Sequence, residues 1–352
     1  MTTITLTAHF EKQAPAGAVP PYQGEHPLLY HQARTYQALE QVPLVMNTYP
    51  TGTGKTVAAF LRLLHPEQCR HNTLLIAPTN ALITQHSADA EAFLAQNDLN
   101  MRVFPLDAAR ITQVMPTLRR GEVVHRWLEN HLTFAEQLGL PSDAGKLPFV
   151  VVTNPDIFYL ALFFQYNRND QRNLFMDFIS RFNYIIIDEF HYYDNKQFAN
   201  FLFFFALWKQ WGYFEHNRKI CLLSATPRVQ VYTLLDRLFP SAGWQRVSPD
   251  NEPDASTAYP TTQTLTELHL TVTTGQIEEW SRDNQALVAQ WQATHLDSAM
   301  ISSSLARVNQ IYDQLRRLDP VRITGPEESI ERQRVRPLIL ARCRRWPPPS
   351  HQ

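Results

Sequence analysis

From His26 onward the chain repeats one pattern: a short run of β-branched and aliphatic residues, a turn containing Gly, Pro or Asn, then a longer stretch with apolar residues at helical spacing. The apolar runs are Leu44–Met46, Thr73–Ala77, Phe149–Thr153, Tyr184–Asp188 and Ile220–Ser224. Short apolar strands alternating with helices predict an α/β fold, a parallel sheet covered by helices. The most apolar stretch, Phe198–Trp208, is followed at once by Lys209. It is about half as long as the roughly 20 residues a membrane-spanning helix needs, so it reads as a buried helix.

The pattern also marks boundaries. Residues 1–25 hold Pro15, Pro20 and Pro21 and read as an N-terminal extension in which only Thr3–Thr7 alternates like an edge strand. Between Asp107 and Pro148 the theme lapses into an insertion with Arg110, Arg119, Arg120, His125 and Arg126. That insertion reads either as a solvated helical surface or as a basic patch for a phosphate backbone. Residues 248–265, rich in Pro, Ser, Thr and Asp, read as a linker. The expected organisation is therefore one complete domain over 26–247 and a second, partial one over 266–352. The second comprises a strand at Leu268–Val272, a helix at Ile277–Trp291, a strand at Ala299–Ser303, a helix at Ala306–Leu318 and a strand pattern at Pro337–Ala341. These are too few elements to close a sheet.

Composition changes this picture little. The 352 residues allow about two domains, and 44% hydrophobic with 18% charged residues excludes a disordered or fibrous chain. Lys and Arg (32) balance Asp and Glu (33), so a nucleic acid would be held by a local patch and not by the overall field. Cys69, Cys221 and Cys343 form no CxxC pair and no zinc-ligand spacing, which fits reduced thiols in a cytosol. No basic-then-apolar signal segment opens the chain, so a cytoplasmic protein with no membrane partner is expected.

The chemistry concentrates in two motifs. Thr48-Tyr49-Pro50-Thr51-Gly52-Thr53-Gly54-Lys55-Thr56 follows an apolar strand and precedes a helical pattern, the setting of a phosphate-binding loop. Gly52 and Gly54 let backbone N–H groups turn toward phosphates, Lys55 reaches β/γ oxygens, and Thr56 offers a hydroxyl to Mg²⁺. Thr51 and Thr53 complete the ATP cradle. The strict form of the loop has Gly or Ala where Tyr49 stands. The second motif, Tyr184-Ile185-Ile186-Ile187-Asp188-Glu189-Phe190-His191, is a buried strand that releases two carboxylates at its carboxyl end, where ligands of parallel sheets lie. Asp188 is placed to hold Mg²⁺ through water and Glu189 to polarise the attacking water, with His191 coupling the site to the motif that follows.

In this order the motifs resemble those of superfamily 2 DExH helicases, with a RecA-like P-loop domain followed here by an incomplete second one. Gln32 looks like the adenine-reading glutamine, and Ala77-Pro78-Thr79-Asn80 with Gln85 looks like motif Ia. Thr153-Asn154-Pro155-Asp156 resembles motif Ib, and Ser224-Ala225-Thr226 resembles motif III. Pro78, Thr79, Asn80, Thr153 and Asn154 would then touch the sugar-phosphate backbone, although both threonine–asparagine pairs also suit helix capping. Within the superfamily, the wording from Ile185 to Asp194 and the run Ile301-Ser302-Ser303-Ser304 look like the helicase subunit of type I CRISPR interference, most like the stand-alone subtype I-D form. That likeness implies a motor on single-stranded DNA, recruited by a guide-RNA surveillance complex, with Ser302 and Ser303 on the strand. Residues 1–25 show no HD pair, so the likeness also implies an HD nuclease on a separate chain.

The pattern breaks after Pro337–Ala341, where motif V is expected and Arg342-Cys343-Arg344-Arg345-Trp346 with three prolines stands instead. Loss of the reading frame near Ala341 is the expectation; a basic arm with Trp346 to stack on a base is the alternative. Missing motifs V and VI would impair hydrolysis, since an arginine finger is worth about 10³–10⁵ in rate. Two other functional readings stay open: another superfamily 2 motor, such as a restriction translocase or RNA helicase, and a nucleotide-dependent binding module that does not turn over.

Overall fold

The computed structural model describes residues 2–114, 147–162, 181–240, 243–252, 259–272, 274–294, 300–302, 304–318 and 320. The chain divides into two compact units, Thr7–Glu267 and a smaller one of Met1–Leu6 with Leu268–Gln352. Numbered along the chain, β1 is Thr2–Leu6 and β2 is His9–Lys12. In the larger unit, β3 (Leu44–Asn47), β4 (Asn72–Ile76), β5 (Arg102–Leu106), β6 (Phe149–Thr153), β7 (Phe182–Ile187), β8 (Lys219–Leu223) and β9 (Trp244–Val247) form one sheet. Its seven strands run in the order β5-β6-β4-β7-β8-β3-β9, and every neighbouring pair is parallel.

Each apolar run singled out in the sequence is one of these strands, because a strand buried on both faces needs apolar side chains at odd and even positions alike. Alternate residues of β3, β4, β7 and β8 go to opposite cores. Leu44, Met46, Leu74, Ile76, Ile185, Ile187, Ile220 and Leu222 join one, and Val45, Leu75, Tyr184, Ile186, Cys221 and Leu223 join the other. The two edge strands, β5 and β9, carry no such run. Pro105 within β5 is tolerated because an edge strand has one side free of the ladder.

Helices α1 (Tyr30–Gln41), α2 (Lys55–Phe60) and α3 (Asn80–Gln96) contribute Tyr36, Leu39, Phe60, Ile83 and Phe93 to the second core. After them come α4 (Ala108–Val114), α5 (Pro155–Leu162), α6 (Asn195–Gln210) and α7 (Val229–Leu238). The first core takes Phe158 from α5, Phe201, Phe204, Phe205 and Trp208 from α6, and Leu235 from α7. The α6 spacing of i, i+3, i+4 and i+7 is that of one buried helix stripe, whereas Phe203 on the opposite face is 54% exposed. Among the described residues no helix is long and apolar enough to cross a membrane.

Residues 248–265, read as a linker, carry β10 (Thr261–Leu265), which pairs antiparallel with β2. Its polar, half-exposed sequence gave no sign of this, because the pairing is made by main-chain groups. In the smaller unit β1 pairs antiparallel with β11 (Leu268–Val272). The helix expected over Ile277–Trp291 is two, α8 (Ile277–Asp283) and α9 (Gln285–Ala293). The break falls at Asn284, whose φ of −117° leaves the helical range, although its N–H still donates to Trp280 O at 3.0 Å alongside its side-chain Nδ2 at 2.8 Å. With α10 (Leu305–Gln314) these helices enclose Val288, Ile311 and Leu315, and Trp280 stacks on Trp291. Residues 300–302 carry no strand. Arg119, Arg120, His125, Arg126, Ser303 and the segment 321–352, with Pro337–Ala341 and the arginine-rich tail, lie outside the described residues.

Candidate nucleotide site

The turns that carry the motifs leave the sheet at one edge, and main-chain bonds continue across it beyond the strand ends. Ala77 donates to Thr153 O at 2.8 Å, Asp188 to Ile76 O at 2.9 Å, Phe190 to Leu223 O at 2.8 Å, Ser224 to Asn47 O at 3.0 Å and Thr48 to Val247 O at 2.8 Å. The turns after β3, β4, β7 and β8 are thus held in mutual register by the sheet itself. Ligands of open parallel sheets bind along this carboxyl edge.

After β3 the turn Thr48–Gly54 leads into α2. Gly52 (φ +82°) and Gly54 (φ +75°) take left-handed backbone that favours glycine. A Cβ at Gly54 would come within 2.6 Å of Gln32 Nε2, while Gly52 opens on space with only Leu265 Cδ2, 4.0 Å away, nearby. Thr53 Oγ1 and Lys55 Nζ both donate to Pro50 O at 2.9 Å. Thr51 and Gly52 are exposed and Thr56 is half-buried on the first turn of α2. Burial pulls the Lys55 ammonium below its ordinary pKa, opposed by the fields of Glu189 and Asp188. Lys55 thus stands within reach of both carboxylates' charge.

The loop is braced from α1. Gln32 Oε1 accepts from Leu29 N–H at 2.8 Å, and its Nε2 donates to Gly54 O at 3.1 Å and Thr53 O at 3.3 Å. Both ends of that amide are therefore engaged by backbone. His31 Nε2 donates to Thr53 O at 2.9 Å and Nδ1 accepts from Asn47 Nδ2 at 3.1 Å, a pairing that suits the neutral ring. Burial lowers its pKa to about 4, with Lys55 adding to the shift and the Thr53 bond opposing it. Tyr49, where the strict loop has a small residue, is 1% exposed and stacks on His31 with centroids 4.1 Å apart. Its hydroxyl donates to Glu252, which also pairs with Lys12 at 3.2 Å.

At the end of β7 Asp188 is buried, and Glu189 holds φ at +46°, a strained left-handed position for a residue with a Cβ. Tyr193 OH donates to Asp188 O at 3.0 Å. His86, buried on α3, places Nε2 2.6 Å from Asp188 Oδ2, while its Nδ1 is 3.8 Å from Asp89 Oδ2, an ion-pair separation longer than a hydrogen bond. Burial disfavours the His86 cation, but the Asp188 bond, helped by Asp89, outweighs it and raises the pKa to about 9. Glu189 Oε2 is buried without a hydrogen bond and faces His191 Nδ1 at 3.3 Å. The same His191 nitrogen lies 3.2 Å from Ser224 Oγ at the end of β8. Ala225 is half-buried and Thr226 exposed in the bend that follows.

Pro78, Thr79 and Asn80 follow β4, and Thr153 and Asn154 close β6. Asn154 Nδ2 donates to Asn80 Oδ1 at 2.9 Å, tying the two turns together. Thr79 Oγ1 caps α3 by accepting from Leu82 N–H, and Asn154 Oδ1 accepts from Ile157 N–H in the first turn of α5. Thr153 Oγ1 donates to Leu106 O at 2.8 Å. Ser302 belongs to the smaller unit, where its hydroxyl accepts from Ser304 N–H at 3.2 Å.

His86, Asn47, His31 and Tyr193 play parts here that sequence reading did not assign. His31 and His86 adjoin Gln32 and Gln85, and that adjacency was the only signal available. Asn47, a polar end to an apolar strand, was a further hint.

A sequence profile described as DEAD/DEAH box helicase matches residues 30–234. No curated protein matches the chain. The fold is similar to that of a DUF1998 helicase, MrfA, in three crystal structures. Bound to DNA the TM-score is 0.62 at 15% identity, covering 95% of this chain and 45% of that one. Bound to DNA and AMPPNP it is 0.59 at 15%, covering 95% and 44%. A third MrfA structure gives 0.53 at 13%, covering 84% and 39%. The chain thus spans less than half the length of that helicase.

Proposed function

The chain belongs to the DEAD/DEAH box helicase family, and on that premise we propose that it is an ATP-dependent DNA helicase or translocase. The observation that carries the reading is electrostatic: the loop lysine Lys55 lies in the fields of both Glu189 and Asp188. Only β8 separates β3 from β7, so the loop and the acidic pair leave the sheet about 10 Å apart, two inter-strand spacings.

The residues fit a magnesium-bound nucleoside triphosphate. Gly52 opens on space, Thr51 is exposed, and the buried Glu189 Oε2 has no hydrogen-bond donor. Thr56 and Asp188 would hold the cation, which when bound neutralises charge on the β/γ oxygens. Lys55 and the loop N–H groups hold phosphate oxygens, and the Glu189 carboxylate accepts a proton from water. Gln32 and Lys55 now donate to loop carbonyls, so reading a base or gripping phosphate requires each to exchange those partners. Contact between His191 and Ser224 gives the acidic turn a route to the turn after β8, which the family uses to link nucleotide state to strand binding. The paired Asn80 and Asn154, with Pro78, Thr79 and Thr153, offer the strand a polar edge.

DNA as the track is supported by the similar helicase whose crystal structures are described as bound to DNA. The narrower role, within CRISPR interference alongside a guide-RNA surveillance complex and an HD nuclease, rests on the wording of Ile185–Asp194 and Ile301–Ser304. The deciding experiment measures ATP turnover by the full chain with and without single-stranded DNA, beside single-stranded RNA and a Lys55→Ala control. DNA-stimulated turnover that Lys55→Ala abolishes supports the proposal. Nucleotide binding without turnover would favour a binding module, and stimulation by RNA alone would favour an RNA helicase.

A further inference from the structure

His86 has no role in the nucleotide chemistry set out above, yet it is buried, its side chain 4% exposed, with a ring nitrogen 2.6 Å from Asp188 Oδ2. The main chain at Asp188 is already fixed from both sides. Its N–H donates to Ile76 O at 2.9 Å and its carbonyl accepts from Tyr193 OH at 3.0 Å. What remains free is rotation of the carboxylate. His86 removes that freedom by occupying Oδ2, and among the described residues nothing hydrogen-bonds Oδ1. The imidazole is carried by α3, whose first turn is capped by Thr79 and whose Asn80 is tied to Asn154.

We infer that His86 is a positioning residue, which pins Oδ2 of Asp188 and leaves Oδ1 as the oxygen available to the divalent cation that accompanies the nucleotide. The inference rests on the reading of Asp188 given above. A carboxylate that is held in one orientation loses less freedom when it takes up a metal, and outer partners of this kind are worth about 10–100-fold in metal affinity. The same contact joins the helix behind the Thr79 turn to the residue that meets the cation.

The test uses the full chain and a fluorescent N-methylanthraniloyl-ADP, titrated with Mg²⁺ and, separately, in EDTA. His86→Gln places an amide donor where Nε2 stands, whereas His86→Asn places it where Nδ1 stands, out of reach of Asp188. Both are polar replacements of similar size, so general damage to the fold would affect them alike. The expected result is that His86→Asn needs about 10–100-fold more Mg²⁺ for half-maximal tightening, that His86→Gln stays close to wild type, and that all three bind equally in EDTA. Equal Mg²⁺ dependence of both variants, shifted or not, overturns the inference, as does a loss by His86→Asn that is just as large in EDTA. A wild-type chain whose nucleotide binding ignores Mg²⁺ overturns it together with the reading of Asp188, a failure distinct from the others.

Discussion

Tyr49 gives a prediction in which the structure and the strict motif disagree. The strict loop has Gly or Ala at this position, so Tyr49→Ala restores the motif; the structure says that the change is damaging. The ring is buried, stacked on His31 with 21° between planes, and its hydroxyl serves Glu252. Removing a buried aromatic side chain costs about 3–5 kcal/mol, of which ring stacking accounts for roughly 0.5–1.5 kcal/mol. Tyr49→Phe separates the remainder. It keeps the stack, removes one hydrogen bond to a charged acceptor, and leaves Glu252 paired with Lys12, so it costs about 1.5–2 kcal/mol, the lower part of the range for such bonds. Urea unfolding followed by tryptophan fluorescence, with linear extrapolation to water, reads both values. Tyr49→Ala within about 0.5 kcal/mol of wild type would show that the buried ring does not brace the loop, and Tyr49→Phe costing as much as Tyr49→Ala would show that the stack on His31 contributes nothing.

Two further outcomes follow from the same brace. His31 titrates at about 4 when folded and at its ordinary 6.5 when unfolded, so the unfolded chain binds more protons between those values and stability falls as pH drops through that window. The contribution, present above pH 6.5, amounts to roughly 3 kcal/mol at about 1.4 kcal/mol per unit, and His31→Gln should flatten the stability profile between pH 6.5 and 4. A profile of unchanged slope would contradict the buried neutral ring. Gln32→Ala leaves Leu29 N–H without its acceptor and the Thr53 and Gly54 carbonyls without that donor, and should lower stability by about 1–3 kcal/mol even without nucleotide. Unchanged thermal unfolding would show that Gln32 does not hold the loop.

The parts of the fold legible in the sequence were those whose side chains answer to the main chain nearby. Strands β3, β4, β6, β7 and β8 are buried on both faces, and their continuous apolar runs could belong to little else. Strand β10 was hidden because its residues TTQTL are half-exposed and its partner, β2, lies about 250 positions earlier. The break at Asn284 is a change in one residue's backbone angles, φ −117° and ψ 25°, which the spacing of apolar residues does not register. Within the site, glycines, lysine and the acidic pair were readable because phosphate and magnesium chemistry restricts which residues can serve. The role of His86 was not, since a histidine one place past Gln85 acquires meaning only when α3 packs beside the end of β7. Gln32 was readable as a residue, but its bonds to Thr53 and Gly54 come from the approach of α1 to the loop.

Whether Lys55 and Asp188 act on one and the same ligand is read from a thermodynamic cycle. Calorimetric titration of a non-hydrolysable ATP analogue with Mg²⁺ into wild type, Lys55→Ala, Asp188→Ala and the double variant gives four binding free energies. Each single variant is expected to weaken binding, and the two losses to be non-additive by about 0.5–3 kcal/mol, as for groups sharing a partner. Strictly additive losses, or binding that neither variant weakens, would contradict a shared ligand.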